Sequence, residues 1–179
     1  MDAPDLIAAL TPLVPGVTFE AAPSIDFATI YVPADALVRT GTALRDHLGF
    51  EVLVEVTAVD YHPRAPRFEV VYHLLSTSSL RRARLKVRAG AGDGVPTLQG
   101  VWRAAGWPER EVWDMFGVPF DGHPDLRRIL MPDDWEGHPQ RKDYPVQVRK
   151  VAQTYEPLEV TEQEFRDNLA RDRYSRDRP

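Results

Sequence analysis

The sequence predicts an α+β domain: a four-stranded, mostly antiparallel sheet with helices packed on one face, followed by a long extended C-terminal arm. Three observations lead there. Strand-like alternation recurs at 24–32, 51–59, 67–75 and 80–88. Helical spacing, bounded by proline and glycine, precedes the strands, separates the first from the second, and follows the last. From 117 to 150 all periodicity stops, although large apolar residues continue.

In order, residues 4–10 read as a short helix stopped by Pro12 and the Pro15-Gly16 turn. Ile25, Phe27, Thr29 and Tyr31 alternate with smaller residues, the mark of a strand. Pro33 suits the first turn of a helix that runs to Leu48 and closes at Gly49. The next three strands are joined by Tyr61-His62-Pro63-Arg64-Ala65-Pro66 and by Ser76-Thr77-Ser78-Ser79, lengths that suit antiparallel hairpins. Phe68, Val70, Tyr72 and Leu74 share one face of the middle strand. In the last strand Arg82, Arg84, Lys86 and Arg88 lie opposite Ala83, Leu85 and Val87. That basic stripe reads as a solvated sheet face, with Glu51, Glu55 and Glu69 on nearby strands as counter-charges. Gly90-Ala91-Gly92-Asp93-Gly94 reads as a connector, because the strand before it lacks the apolar character of a nucleotide fold. Two helices follow, 98–105 after the cap Thr97 and 107–116 with Pro108 in its first turn. Glu109 and Glu111 then complement the positive end of the second.

Loops beyond about 12–15 residues are uncommon in compact domains unless functional or disordered. Phe120, Leu126, Ile129, Leu130, Met131, Trp135 and Tyr144 are too many large apolar groups for a solvated linker. The expected organisation is therefore a core domain over 1–116 and an extended partner-binding arm over 117–150. A C-terminal helix within 151–179, signalled by the capping box Thr161-x-x-Glu164, precedes a frayed tail. The arm repeats a unit: Phe120-Asp121-Gly122-His123-Pro124 returns as Trp135-Glu136-Gly137-His138-Pro139, trailed by the basic pairs Arg127-Arg128 and Arg141-Lys142. The histidines read first as parts of two similar turns. Combined with Asp125, Asp133 or Asp134 they could instead hold a metal in a stand-alone hydrolase, although no tight ligand spacing supports it.

Composition narrows the classes. Among 179 residues there is no cysteine, which removes disulfides, thiolate catalysis and cysteine-ligated iron–sulfur clusters. A net charge of −5 leaves nucleic-acid binding resting on the arginine stripe alone, so no nucleic-acid partner is expected. The apolar runs fall far short of the ~20 residues a membrane span needs. The acidic start, Met1-Asp2-Ala3-Pro4-Asp5, lacks a signal peptide's basic and apolar regions, so the chain is expected to stay where it is made.

Residues 109–145 also carry a longer pattern. It comprises Glu109-Arg110-Glu111, Asp114-Met115-Phe116-Gly117, Gly122-His123-Pro124, Leu126-Arg127-Arg128-Ile129-Leu130, Asp134-Trp135, Gly137-His138-Pro139 and Arg141-Lys142-Asp143-Tyr144-Pro145. This resembles the signature of the C subunit of respiratory complex I, the 30 kDa-type subunit of NADH–quinone oxidoreductase. The resemblance implies a non-catalytic member of the peripheral arm of a proton-translocating enzyme. It would sit at the cytoplasmic face of the bacterial cell membrane, held through the complex. Its expected partners are the D subunit, which forms the quinone pocket, and the neighbouring connecting subunits. Flavin, iron–sulfur clusters and quinone would belong to those partners, leaving no catalytic, cofactor or metal residue here. The expected interface is Phe120, His123, Arg127, Arg128, Met131, Asp134, Trp135, His138, Arg141, Lys142, Asp143 and Tyr144. The equivalent subunit of a membrane-bound hydrogenase, or of another donor–quinone oxidoreductase, is the alternative within the same fold family.

Overall fold

The computed structural model describes residues 2–146 and 161–167. Asp2 and Asp5 form a capping box that starts α1 (Ala3–Leu10), whose Leu6 and Leu10 are buried. β1 (Glu20–Ala21) and β2 (Ala28–Tyr31) follow. Strand structure begins later than the alternation suggests, for Ile25 is fully exposed and Asp26 turns the chain by accepting the Ser24 hydroxyl and the Phe27 N–H. A 3-10 turn at Ala34–Ala36 leads into α2 (Leu37–Asp46). Gly49, with φ of +71°, reverses the chain into β3 (Val52–Asp60), β4 (Phe68–Leu75) and β5 (Arg82–Ala89). A short pair, β6 (Val95–Pro96) and β7 (Phe120–Asp121), brackets α3 (Gly106–Phe116).

The main sheet has five strands in the order β1-β2-β5-β4-β3, and it is mixed rather than four-stranded and mostly antiparallel. Two facts account for the difference. β1 is two residues long, too short to leave a period in the sequence. α2 carries the chain across the sheet, so β2 lies parallel to β5 and not beside β3. β2, β3 and β5 then run one way, with β1 and β4 against them.

Register decides the faces. Phe68, Val70, Tyr72 and Leu74 stand opposite Ala89, Val87, Leu85 and Ala83, and this whole face is buried with residues of α1, α2 and α3 in one core. The other face carries ion pairs: Arg84 with Asp26, Lys86 with Glu69, and Arg88 with Glu20. Of the expected counter-charges, Glu69 serves. Glu51 instead accepts the Thr77 N–H at 3.0 Å, and Asp26 and Glu20, on the β1–β2 side, take its place.

Two further expectations change. The helix over 98–105 reduces to turns around Leu98–Trp102 and a 3-10 turn at Arg103–Ala105. The boundary at 116 does not appear either, because one compact unit extends to Pro145. The physical reason is that α3 ends at Phe116 with carbonyls needing donors, and the following residues supply them. Val146–Pro179 forms a second unit. In its described part, the Thr161 hydroxyl and the Glu164 carboxylate cap a helical turn over 162–167. The expected frayed tail lies outside the described residues.

Candidate partner interface

α3 organises the segment 117–145 that follows it. Pro108 fits its first turn, and Val112 and Met115 anchor it to the core. Gly117, with φ of +71°, ends it. A side chain there would also collide with the Arg141 guanidinium and the His138 ring.

The segment 127–131 wraps around one buried carboxylate. Oδ2 of Asp114 accepts the N–H groups of Ile129, Leu130 and Met131 at 3.0, 2.8 and 2.8 Å, and Oδ1 accepts Arg128 at 2.6 Å. Burial works to raise this carboxyl; the Met131 N–H, the Arg128 guanidinium and the other two amides outweigh it and hold it below the usual range. Arg128 also donates to the carbonyls of Trp135 and Gly137, so one guanidinium joins α3 to the second repeat. One turn earlier on α3, Arg110 donates to the carbonyls of Arg127 and Arg128.

The second repeat caps the helix. His138 Nδ1–H donates to Asp114 O at 3.0 Å, Gln140 N–H to Met115 O at 3.0 Å, and Arg141 to Phe116 O and Gly117 O. These are the orphan carbonyls of a helix C-terminus, satisfied in succession with a cation at the negative end of the dipole. A second buried carboxylate fastens the segment to the sheet. Asp60, at the end of β3, accepts Arg67, the Lys142 N–H and the His62 N–H, while Arg67 also binds Asp143 at 2.6 Å. Burial pushes the Asp60 carboxyl upward, but Arg67 and the two amides hold it well below its ordinary value.

The repeated turns are alike in backbone and different in reach. Gly122 and Gly137 share φ of +78°. His123 accepts the Asp125 N–H on Nδ1, so its Nε2–H donates to Gly106 O, at the opposite end of α3 from His138. Those two carbonyls lie eight residues apart, ~12 Å along a helix. The two rings therefore do not meet around one ion, and no group of three potential ligands occurs among the described residues.

Of the expected interface residues, Phe120 is buried in β7 and is not a surface group. Arg128, His138, Arg141 and Asp143 spend their polar atoms inside the chain. Met131, Trp135 and Tyr144 are half-buried, with the Tyr144 hydroxyl donating to Glu136 O, and His123 is half-buried on α3. Arg127, Asp134 and the Lys142 side chain face outward. Two large outward groups were not among the expected ones: Trp107, 71% exposed, and Leu130, 59% exposed. Trp107 lies one and two turns before Arg110 and Asp114, the residues that hold 127–131. Its place beside a helix-opening proline hides it from a periodicity argument, because α3 had to be positioned before its outer stripe was known.

The sequence matches the family model described as the respiratory-chain NADH dehydrogenase 30 kDa subunit over residues 30–150. The chain belongs to this 30 kDa family. A relative from Rhizobium meliloti (strain 1021), named as an NADH-quinone oxidoreductase subunit of the C type, is 50% identical over 121 residues. That alignment covers 66% of this chain and 66% of the relative, so the chain spans just under two thirds of that relative's length. Among solved structures, a trypsin-resistant fragment (1–134) of Nqo5 is similar with a TM-score of 0.53 and 31% identity, over 62% of this chain and 90% of the fragment. A chain of the membrane-bound sulfane sulfur reductase, an archaeal respiratory membrane complex, gives a TM-score of 0.61 and 28% identity over 80% of this chain and 85% of its own length. The family match contains Asp60, Arg67, Asp114, Arg128 and Arg141, the residues that fold 117–145 around α3. No helix among the described residues is long and apolar enough to cross a membrane.

Proposed function

We propose that this 30 kDa family member is the non-catalytic C subunit of a proton-translocating NADH–quinone oxidoreductase. It sits in the peripheral arm at the cytoplasmic face of the bacterial membrane and holds the quinone-reducing module together. The observation that carries this reading is the family match across 30–150, which takes in the whole of the segment folded around α3. The chain offers no thiolate for a cluster, so iron–sulfur clusters are assigned to partner subunits, and the family reading assigns flavin and quinone to them as well. Its task is recognition. The segment offers exposed charge at Arg127, Asp134 and Lys142 and half-buried apolar groups at Met131, Trp135 and Tyr144, the residue kinds that an interface with an apolar centre and a charged rim uses. Trp107 and Leu130 are large exposed apolar groups that suit the same task, and tryptophan is among the residue types most enriched in binding hot spots. The partner we assign is the D subunit, which forms the quinone pocket, with the connecting subunits as neighbours.

Affinity purification of the tagged full chain from native membranes tests the assignment. The D subunit and an NADH-oxidising module should co-purify, with NADH–quinone reductase activity scaling with the amount of assembled complex. Recovery of a hydrogenase or sulfur-reductase module in place of the NADH-oxidising one would move the chain to a related respiratory complex. Recovery of the chain alone from such membranes would refute the assembly role.

A further inference from the structure

Glu109 lies five residues before Asp114 on α3, and it too is fully buried. Its Oε1 accepts the Leu98 N–H at 2.8 Å, and its Oε2 meets the Thr97 hydroxyl. Tyr72 of β4, also fully buried, lies near enough to feel its charge. That hydroxyl is buried without a hydrogen-bond partner among the described residues, and burial, reinforced by the Glu109 charge, drives it well above the ordinary tyrosine range. Charged groups on the neighbouring elements are engaged elsewhere or turned outward. Asp60 of β3 is paired with Arg67 and Asp114 of α3 with Arg128, while Glu55 and Arg103 are exposed. No charged side chain among the described residues acts on Glu109.

A carboxylate in that position lacks a counter-charge, and a buried charge without one is costly. Binding a proton removes the cost. Burial accordingly pushes the Glu109 carboxyl up to about 7, against the Thr97 hydroxyl and the Leu98 N–H, which favour the charged form. The proton also reverses a hydrogen bond. With Glu109 charged, Thr97 donates to Oε2 while its oxygen accepts the Gln99 N–H at 3.1 Å. With Glu109 protonated, the acid O–H donates to Thr97, and the threonine proton must turn to another acceptor. Thr97 closes the β6–β7 ribbon, its N–H bonded to Asp121 O at 3.0 Å and its methyl 3.6 Å from where a Cβ on Gly122 would stand. Gly122 begins the first Gly-His-Pro turn, whose histidine holds the start of α3.

We propose that Glu109, with Thr97 and Tyr72, is a buried proton-binding site that couples protonation of the protein's interior to the first Gly-His-Pro turn. The proton exchanges with solvent and its acceptor is Oε2. This goes beyond the assembly role and does not depend on it, because every group involved lies within the one chain.

The experiment is a side-chain carboxyl titration by NMR on the full chain with labelled glutamate, between pH 4 and 9. One glutamate should titrate near 7 rather than near its ordinary 4.5, and that signal should vanish in Glu109→Gln. The backbone amides of Thr97, Asp121 and Gly122 should shift with the same midpoint and stay still in the variant. If every glutamate titrates below about 5.5, the site does not exist. If Glu109 titrates near neutrality while those three amides do not move, the coupling fails. Should Glu109→Gln not fold, Thr97→Val leaves the acid in place. Loss of the hydroxyl that favours the charged form should raise the midpoint and uncouple the Asp121 and Gly122 amides. An unchanged midpoint there would overturn the proposal.

Discussion

The two halves of α3 each bury a carboxylate, and the two are treated in opposite ways. Asp114, near the C-terminal end, is wrapped by one guanidinium and three amide N–H groups, and its pKa falls. Glu109, near the N-terminal end, has one amide and one hydroxyl, and its pKa rises. Burial is common to both. The number and charge of the donors decides the outcome, and with it the role: Asp114 organises a segment as an anion, whereas burial pushes Glu109 toward its protonated form.

Removing the charge at Asp114 should have the largest effect. Asp114→Ala leaves Arg128 without its counter-ion and three amides without their acceptor, so a loss of about 3–5 kcal/mol in unfolding free energy is expected. Urea denaturation at pH 7 measures it, and a change within about 0.5 kcal/mol, the range of an ordinary surface substitution, would erase the contrast with Glu109. Asp60→Asn should follow at about 2–4 kcal/mol, because it weakens a bidentate arginine pair and the clasp on Lys142. Limited proteolysis should then cut within 117–145 sooner than in the native chain.

The comparison also has a pH signature with opposite signs. The folded-state pKa of Asp114 and of Asp60 is depressed, so each contributes stability that is present above the unfolded value and lost as the solution is acidified from about pH 4. The folded-state pKa of Glu109 is raised, so its contribution is largest below its unfolded value of 4.5 and fades as pH climbs to about 7. Unfolding free energy should therefore rise from pH 3 to about 5 with Asp60 and Asp114, while above that the Glu109 loss runs against the gain from His73 and His138, whose pKa values burial lowers. Relative to the native profile, Glu109→Gln should change the slope above about pH 4.5 alone, and Asp114→Asn should lessen the acid slope alone, the remainder belonging to Asp60.

Smaller effects separate the repeats. His123→Gln and His138→Gln each remove one hydrogen bond to an α3 carbonyl, typically worth about 1 kcal/mol. The His138 variant should lose more, because its bond serves the helix's C-terminal turn, where carbonyls have no other partner. Arg127→Glu should change stability by less than about 0.5 kcal/mol, since among the described residues its guanidinium pairs with the exposed Asp125. On the proposed assembly role, its effect should instead be read in the amount of assembled complex. Arg141→Glu should damage the fold itself, so reduced assembly in that variant is to be compared with its melting temperature.

The core strands, the first helix and the family were legible in the sequence. Alternation places Phe68, Val70, Tyr72 and Leu74 on one face whatever lies beside them, and proline and glycine punctuate helices by fixing or freeing single backbone angles. Cysteine-free composition and the pattern over 109–145 are likewise properties of the chain alone. The tertiary structure decided the rest. Whether 117–150 forms a detached arm depended on where the last carbonyls of α3 find donors, and those donors lie 24 and 25 residues downstream in His138, Gln140 and Arg141. Asp60 and Lys142 are 82 positions apart, a contact no local period encodes. The same holds for Glu109, which reads from the sequence as a helix-end charge and becomes a buried acid only because the turn at Thr97 and the sheet at Tyr72 close over it. Local sequence fixes which way a side chain points; what it meets there is set by segments far along the chain.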